Sequence, residues 1–379
     1  MSRTRWKQAA KGHNMLEIAK DQDVPEKLDL GGWQEAVDLF FEKEWTDGLP
    51  IIPPTEELVS AMLAGVADRD PDEVIGNVPP RWAQGTVRIC AINAVMAGCL
   101  PVHMPILLAA VEAVLEPGFN LAGIQATTHS ATPLIVVSGP NLEALGINAG
   151  YNVMGQGFRA NATIGRALRL IMINVGNGRP GQTDLAQFGS PAKFGFFLAE
   201  NDARSPWEPY RVEHGYDVGD TIVAAFSAEG PHSVTNHVAT DSFGVGVSIA
   251  SCMSTLGSNN AYGMGEIVIV LGPEHADFFG KDKWSKDDVR LYLYQKARNR
   301  IGDLMFGQRY GRFYNRMWPK WFDRSRDDEE VPVVVKPDDI HIFVAGGPAG
   351  RFSTVIPGWG GLGGRSTIKK VRFPVSKPD

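Results

Sequence analysis

The sequence predicts an α/β or α+β protein in which a mixed sheet packs against buried helices, with two lobes as an option. Three short apolar runs have strand character, and each ends at a glycine–proline turn: residues 133–140, 266–273 and 339–348. Apolar residues at helical spacing predict helices before and between these runs. The chain of 379 residues is long enough to bury a core in one large domain or in two lobes.

The first part of the chain predicts a helix-rich lobe. Residues 1–29 are polar and lack the apolar core of a secretory signal, so we expect a mobile arm there. A helix is predicted from Trp33 to Glu44, and Thr55 is placed to cap the next helix. We assign residues 30–215 to a helical and α/β lobe that contains a Gly-rich loop.

Residues 216–379 are assigned to a second α/β lobe with a Gly-rich loop near its end. Segments 220–226 and 244–250 are rich in β-branched and small apolar residues, and we predict strands for both. A capping box at Ser285 predicts a helix that runs to about Arg300.

The stretch Ile89–Val111 has no charged residue, as a membrane span would. Pro101 and Pro105 interrupt its middle, and proline inside a helix costs about 3 kcal/mol. We therefore predict two buried helices, and no membrane partner.

The charge and the cysteines exclude several classes of protein. The net charge of −6 comes without a basic stripe, which disfavours nucleic-acid binding. Three cysteines without a CxxC pair argue against a disulfide framework or a structural zinc site. We expect a cytoplasmic homo-oligomer whose partner is a small molecule.

The Gly-rich loop before a predicted helix is the main candidate for a ligand site. Gly155 and Gly157 let backbone N–H groups approach a ligand, and Asn161 or Thr163 can cap the helix that follows. The acidic residue of a dinucleotide fingerprint is missing, so we predict a site for a simple anion.

Arg159 and Arg166 strengthen that prediction. They are seven residues apart, so a continuous helix would project them from nearly one face. Their guanidinium groups suit a carboxylate or phosphate of a small anionic substrate. The alternative is that one or both form salt bridges within the protein.

His129 and Glu200 are the candidate acid and base. His129 lies among hydroxyl residues that can orient its ring, and Glu200 ends an apolar run where burial would raise the pKa of its carboxyl. Cys99 and His103 flank the link between the two buried helices and could form a thiolate–imidazole nucleophile. The alternatives are a structural histidine, a salt-bridged glutamate and a packed Cys99, which the apolar surroundings favour.

A metal site could be drawn from three histidines and two glutamates. These are His232, His237, His275, Glu200 and Glu229. His232 and His237 are five residues apart, so on a strand they would point to opposite faces. The metal and the cofactor therefore stay unassigned.

Several motifs together resemble a large, poorly characterised family of bacterial proteins. They are WTDGLPIIPPT, INAVMAGCLP, ATTHSATPLIVVSGP, RANATIGRALRLI, AENDARSPWEP and GPEHA, within residues 40–360. Members are often encoded near, or linked to, small proteins with a Sec-Gly-Ser-Cys or Cys-Gly-Ser-Cys motif. The resemblance implies thiol or selenol chemistry, and because this chain lacks the motif, a partner protein would supply the reactive group.

We therefore expect an enzyme, or enzyme subunit, that acts on a small carboxylate-like substrate by acid–base or thiol-linked chemistry. One alternative is a metal-dependent lyase or hydrolase. The other is a non-catalytic binding or assembly subunit, in which the helices near Cys99 pack against another chain.

Overall fold

The computed structural model describes residues 13–16, 27–304, 323, 325–360 and 363–374. Within these residues the α-helices are α1 (Trp33–Glu42), α2 (Glu56–Leu63), α3 (Val87–Ala97), α4 (Met104–Val114), α5 (Leu121–Ala126), α6 (Arg159–Asn174), α7 (Tyr210–Glu213), α8 (Ser242–Met253), α9 (Asn259–Gly263), α10 (Pro273–Lys281), α11 (Lys286–Lys296) and α12 (Ile301–Leu304). The strands are β1 (His13–Leu16), β2 (Lys27–Leu30), β3 (Val74–Val78), β4 (Ala83–Thr86), β5 (Thr132–Ser138), β6 (Phe197–Ala199), β7 (Ile222–Ala228), β8 (His232–Thr235), β9 (Ile267–Leu271), β10 (Arg298–Arg300), β11 (Glu330–Pro332), β12 (Ile340–Val344), β13 (Phe352–Ile356) and β14 (Thr367–Lys370).

Two four-stranded mixed sheets form the centre of the fold. The strand order is β14-β7-β5-β6 in the first sheet and β12-β9-β13-β8 in the second. In each sheet one edge pair is parallel, β5 with β6 and β9 with β12, and the other pairs are antiparallel. The predicted class, α/β or α+β with a mixed sheet and buried helices, is confirmed, with two sheets in place of one.

Alternating side chains along the strands produce the layers, because successive residues point to opposite faces of a sheet. On the inner faces, Val136 and Phe226 of the first sheet share a buried cluster with Val270 and Phe343 of the second. The outer face of the first sheet packs against α3, α4 and α6. The outer face of the second packs against α8, α10 and α11, so the order of layers is helices, sheet, sheet, helices.

The two sheets exchange their fourth strands. After β5, β6 and β7 of the first sheet, β8 crosses to pair with β13 in the second. After β9, β12 and β13 of the second sheet, β14 returns to pair with β7 in the first. The predicted lobes 30–215 and 216–379 therefore do not correspond to the two sheets, because β7 and β14 complete the first sheet from beyond residue 215.

The predicted arm, residues 1–29, is described only in part. Residues 1–12 and 17–26 lie outside the described residues. His13–Leu16 pairs antiparallel with Lys27–Leu30, so the part that is described forms a two-stranded ribbon.

Local capping explains where several helices begin and end. The side chains of Thr55 and Thr86 accept hydrogen bonds from the backbone N–H groups of α2 and α3, and Ser285 forms a capping box with Asp288. The helix starts predicted at Thr55 and Ser285 are confirmed. Gly98 ends α3 at a φ of 93°, in the left-handed region that favours glycine.

The strand predicted at residues 244–250 is wrong, whereas the one at 220–226 is confirmed by β7. Residues 244–250 lie in α8, whose N-cap Asp241 accepts a hydrogen bond of 2.8 Å from the backbone N–H of Gly244. The alternation of small and branched residues resembles a strand. Val245 and Ile249 are nevertheless buried on one helical face, four residues apart.

The charge-free stretch Ile89–Val111 forms parts of α3 and α4 with a break between them, as predicted. Nearly all residues of the two helices are buried. Among the described helices, none alone is long and apolar enough to cross a membrane. The pair Pro101–Val114 and Pro117–Ala126, bent by 68°, meets the length and composition requirement only when taken together.

Truncating a ring in the layer between the sheets should destabilise the whole fold. Phe343 is fully buried there, with its ring centroid 4.4 Å from that of Tyr210. We expect Phe343→Ala to lower the free energy of unfolding by about 3 to 5 kcal/mol, because the cavity opens between both sheets. Urea unfolding followed by circular dichroism measures it. The matched control Phe352→Ala removes a half-exposed ring, and an equal loss in both variants would contradict this account.

Candidate functional site

The predicted anion loop is held by its own side chains. α6 begins at Arg159 with Phe158 as its N-cap, and no side chain caps it. The buried side-chain amide of Asn161 accepts a hydrogen bond from the backbone N–H of Asn148. It donates hydrogen bonds to the carbonyls of Asn148 and Val153. Asn161 therefore fixes the preceding loop and does not cap the helix. Thr163 also does not cap it, since its hydroxyl donates to the carbonyl of Arg159.

Both predicted anion-binding arginines make hydrogen bonds within the protein, but of the two only Arg166 is paired with a carboxylate of the described chain. Arg159 donates to the carbonyls of Gly98, at 2.7 Å, and Cys99, at 3.4 Å, which caps the C-terminal end of α3. Arg166 forms a bidentate pair with Asp47, with both N···O distances 2.8 Å. The alternative of an internal salt bridge is therefore what Arg166 adopts. Exposed Arg159 has two neutral carbonyls as its partners among the described residues, so its charge is not neutralised, and its binding of an anion together with Gly155 and Gly157 stays a prediction.

The imidazole of His103 has no free nitrogen for the Cys99 thiol. His103 Nδ1 accepts from the backbone N–H of Leu100 at 3.1 Å, and its Nε2 lies 3.1 Å from the carbonyl of Leu145. Burial lowers the pKa of His103 and raises the pKa of the Cys99 thiol to about 11. This geometry supports the packed interpretation of Cys99, since a neutral thiol is a poor nucleophile.

Glu200 has the raised pKa that its sequence context predicted. It is 3 % exposed at the end of β6, where it accepts hydrogen bonds from the Ser138 hydroxyl and the backbone N–H of Tyr210. Burial raises the pKa of this carboxyl to about 7, although the charge of Lys286 and the bond from Ser138 act in the opposite direction.

His129 and Glu200 lie at opposite ends of β5. His129 precedes the strand, whereas Glu200 donates its backbone N–H to Val137 near the strand's other end. A strand of this length separates its ends by roughly 20 Å. The predicted residues therefore occupy three places: the helix link of Cys99, His103 and Arg159, the start of β5, and the end of β6.

A cleft of about 500 Å³ lies beside α6. Its lining includes Asp47, Arg169, Ile173, Asp184, Ser190 and Lys193. A volume of this size is typical of small-molecule sites. Sequence reasoning missed the cleft, although one signal was present: Arg169 is a single cation in the otherwise apolar run ALRLIMI.

Arg169 places a buried positive charge at this cleft. Its Nε donates to the carbonyl of Lys193 and its Nη2 to the hydroxyl of Thr132, each at 2.7 Å. Both partners are neutral oxygens, and Nη1 has no hydrogen-bond partner among the described residues. Burial lowers the pKa of Arg169 to about 10, while Asp184 and Asp47 raise it, so the group stays charged near neutral pH.

The other charges around the cleft are paired directly. Lys193 Nζ lies 2.8 Å and 2.6 Å from the two carboxylate oxygens of Asp184. Burial lowers the pKa of Lys193, and the Asp184 contact opposes that change. Asp47 is committed to Arg166. Arg169 is therefore the lining cation without a bidentate carboxylate partner within the described structure.

His129 forms a dyad with Glu229, and the preceding residue Thr128 bonds Gln187 next to the cleft-lining loop. Nε2 of His129 lies 2.8 Å from Oε1 of Glu229, which also accepts from the backbone N–H of Asn259 at 3.2 Å. An ionised carboxylate only accepts, so in the neutral ring Nε2 carries the hydrogen and Nδ1 keeps a free lone pair. The pairing of His129 was not predictable, because Glu229 lies one hundred residues away.

The candidate metal ligands from the sequence do not come together within the described residues. No group of three or more His, Cys, Asp or Glu side chains there could hold a metal ion. His275 is buried, with Nδ1 2.8 Å from the hydroxyl of Ser353 and Nε2 3.2 Å from the carbonyl of Asn236. Among the described histidines, His129 is the one that bonds Glu229.

The fold is a four-layer α/β protein, and its cleft is lined by two cations, Arg169 and Lys193, and two carboxylates, Asp47 and Asp184. Comparison of the sequence with protein-family models and with curated proteins finds no match. The chemistry of the cleft is therefore derived from its own residues.

The buried carboxyl of Glu200 should make stability depend on pH. Its folded pKa of about 7 lies above the ordinary value, so its stabilising contribution is complete at low pH and is lost as pH rises through 7. Between pH 5 and 8 we expect the wild-type free energy of unfolding to fall by about 2 to 3 kcal/mol relative to Glu200→Gln. Urea titrations at several pH values measure the difference, with exposed Glu208→Gln as control. Parallel pH curves for wild type and Glu200→Gln would exclude the raised pKa.

Proposed function

We propose that this chain is an enzyme, or enzyme subunit, that binds a small carboxylate with an apolar body in the cleft. The carboxylate pairs with Arg169, and the His129–Glu229 dyad provides acid–base chemistry. The observation that carries the proposal is a buried guanidinium at a cleft of about 500 Å³ whose hydrogen-bond partners among the described residues are neutral oxygens.

The electrostatics of Arg169 favour an anionic ligand. A buried cation loses hydration, which is why burial lowers its pKa. A carboxylate next to Nη1 would return a charge-assisted hydrogen bond in a site of low dielectric constant. Lysine would offer a point charge in place of the planar guanidinium fork, so Arg169 also selects planar anions such as carboxylates.

The walls of the cleft determine the rest of the ligand. Ile173, Pro180, Phe188, Pro191 and Phe194 give them an apolar character. Phe188 is 94 % exposed, which is unusual for a phenyl ring on a globular protein. A branched or aromatic ligand body would cover these side chains and gain the free energy of burying apolar surface. The substrate class is therefore a carboxylate with an apolar body.

The thiol-linked part of the expectation depends on a partner. Burial raises the thiol pKa of Cys90 to about 12 and that of Cys99 to about 11, and it also raises the pKa of half-buried Cys252. All three thiols are thus poor nucleophiles near neutral pH. A thiol or selenol reaction in this cleft would take its reactive group from a partner protein, as the family resemblance implies.

Removing the Arg169 charge should abolish selective binding of carboxylates. Isothermal titration with isovalerate and phenylacetate should show binding to wild type, and no binding of phenylacetamide. We expect Arg169→Met to weaken the binding by about 1.5 to 3 kcal/mol, because a charged hydrogen bond is lost. Arg88→Met is the matched control, since that exposed arginine pairs with Asp72 far from the cleft lining. Equal binding of the acid and its amide by wild type would overturn the proposal.

A non-catalytic assembly role is the second candidate, because the helix link carries an exposed apolar patch. The patch consists of Leu49, Ile52, Leu100, Val102 and Phe158, each exposed by 37 to 47 %. Ile52 contacts the link directly, since its backbone N–H donates to Met96 and its side chain faces Gly98. Neighbouring exposed apolar side chains are typical of surfaces that pack against another chain.

Charging the patch tests this second role. We expect the wild type to form an oligomer by light scattering, and Val102→Asp to dissociate it, because a carboxylate would be buried at the interface. Val238→Asp is the matched control on a valine that is 86 % exposed elsewhere. A monomeric wild type would eliminate the patch as a self-association surface.

A further inference from the structure

Ser190 has a buried hydroxyl that nothing satisfies. The residue lines the cleft, and its Oγ is shielded from solvent without a hydrogen-bond partner among the described residues. Buried hydroxyls are normally hydrogen-bonded, and a buried hydroxyl without a hydrogen bond costs free energy. Gly189 precedes it at a φ of 65°, in the left-handed region that favours glycine, so the backbone there has a special conformation.

The second unsatisfied polar atom belongs to His129. Its Nδ1 is buried and has no hydrogen-bond partner within the described structure, whereas Nε2 is held by Glu229. The tautomer that Glu229 imposes makes Nδ1 an acceptor. Nδ1 is therefore a base that is oriented but has no proton to accept in this arrangement.

Two contacts bring the loop that contains Ser190 next to the chain around His129 and Glu229. The backbone N–H of Gln187, three residues before Ser190, donates to the carbonyl of Thr128, the residue before His129, at 2.9 Å. On the other side, a Cβ placed on Gly230, the residue after Glu229, would lie 4.0 Å from Ser190 Oγ. The loop from Gln187 to Ser190 thus contacts residues that adjoin both His129 and Glu229.

We propose that Ser190 is a nucleophile, activated by His129 and Glu229, and that the cleft catalyses acyl transfer from an ester or thioester that carries a carboxylate. The proposal deepens the proposed function and rests on it, because Arg169 would bind that carboxylate. The hydrogen bond between Ser190 and His129 is open here, and such bonds are often loose in the absence of substrate. The proposed mechanism requires Ser190 Oγ to move within hydrogen-bond distance of His129 Nδ1, and the left-handed backbone at Gly189 adjoins that movement.

These three side chains and water account for every proton and bond in the reaction. Nδ1 of His129 takes the Ser190 proton while Oγ bonds to the acyl carbon, and the bond to the alcohol or thiol leaving group breaks. His129 returns the proton to that leaving group. Water, deprotonated by His129, then attacks the acyl-serine, and Ser190 regains its proton as the acid leaves. Glu229 stays ionised and stabilises the imidazolium.

An active-site probe tests the nucleophile without knowledge of the natural substrate. The full chain is incubated with an alkyl fluorophosphonate, which modifies activated serines, and the adduct is located by intact mass and peptide mapping. We expect one adduct per chain, on Ser190. Ser190→Ala should remove it, and Ser233→Ala, which changes an exposed serine on β8, should retain it.

Dependence on the dyad separates a catalytic role from a merely accessible hydroxyl. We expect His129→Ala and Glu229→Gln to slow labelling, the first by about a hundredfold or more because general-base assistance is lost. His232→Ala, which changes an exposed histidine on β8, should label at the wild-type rate. Isovalerate should protect Ser190 in the wild type but not in Arg169→Met.

A second variant covers any dyad variant that does not fold. In a Cys252→Ser background, the new thiol of Ser190→Cys should react with iodoacetamide faster than Cys90 or Cys99, which are both buried. Labelling of Ser190 at equal rates in wild type and in folded His129→Ala would overturn the activation. A wild type that binds isovalerate but forms no adduct on Ser190 would overturn the nucleophile alone. A wild type that does not bind isovalerate would overturn the proposed function itself.

Discussion

The packing of the two sheets on each other is the constraint on which the other parts of the structure depend. Because Phe226 and Phe343 bury the inner faces, each sheet must cover its outer face with helices. α6 is the crossover between the parallel strands β5 and β6, and this brings Arg169 to the hydroxyl of Thr132 at the beginning of β5. The cleft therefore lies at the amino ends of the parallel pair, whereas ligands of open α/β sheets usually bind at the carboxyl ends.

Charge pairing gives this cleft its character. Asp47 with Arg166 and Asp184 with Lys193 are close pairs with little exposed carboxylate, so they fix the walls without leaving a negative charge free. Arg169 is held by a carbonyl and a hydroxyl, which orient the guanidinium but do not neutralise it. A protein that needed only a stable helix at this position would gain from an apolar residue, since burying an unpaired charge is costly.

Features that depend on neighbouring residues were predictable from the sequence, and features that depend on remote partners were not. Thr55, Thr86 and Ser285 cap helices through bonds within three residues, so their role is readable locally. Arg159 and Arg166 were predicted to bind an anion, but their partners within the protein come from the α3 end and from Asp47, which no spacing rule reveals. At residues 244–250 the β-like alternation outweighed a genuine N-cap at Asp241, and attention to that cap would have predicted the helix.

The exchange of β8 and β14 also has a consequence for how the chain assembles. β7 keeps an open edge until β14 is synthesised, because the intervening residues build the second sheet first. An unpaired strand edge is a template for wrong pairing, and contacts between such distant segments form slowly. Each half of the molecule thus covers a strand edge of the other half. A nascent chain that stops before β14 exposes the edge of β7. Two complete chains can cover that edge by exchanging their β14 strands.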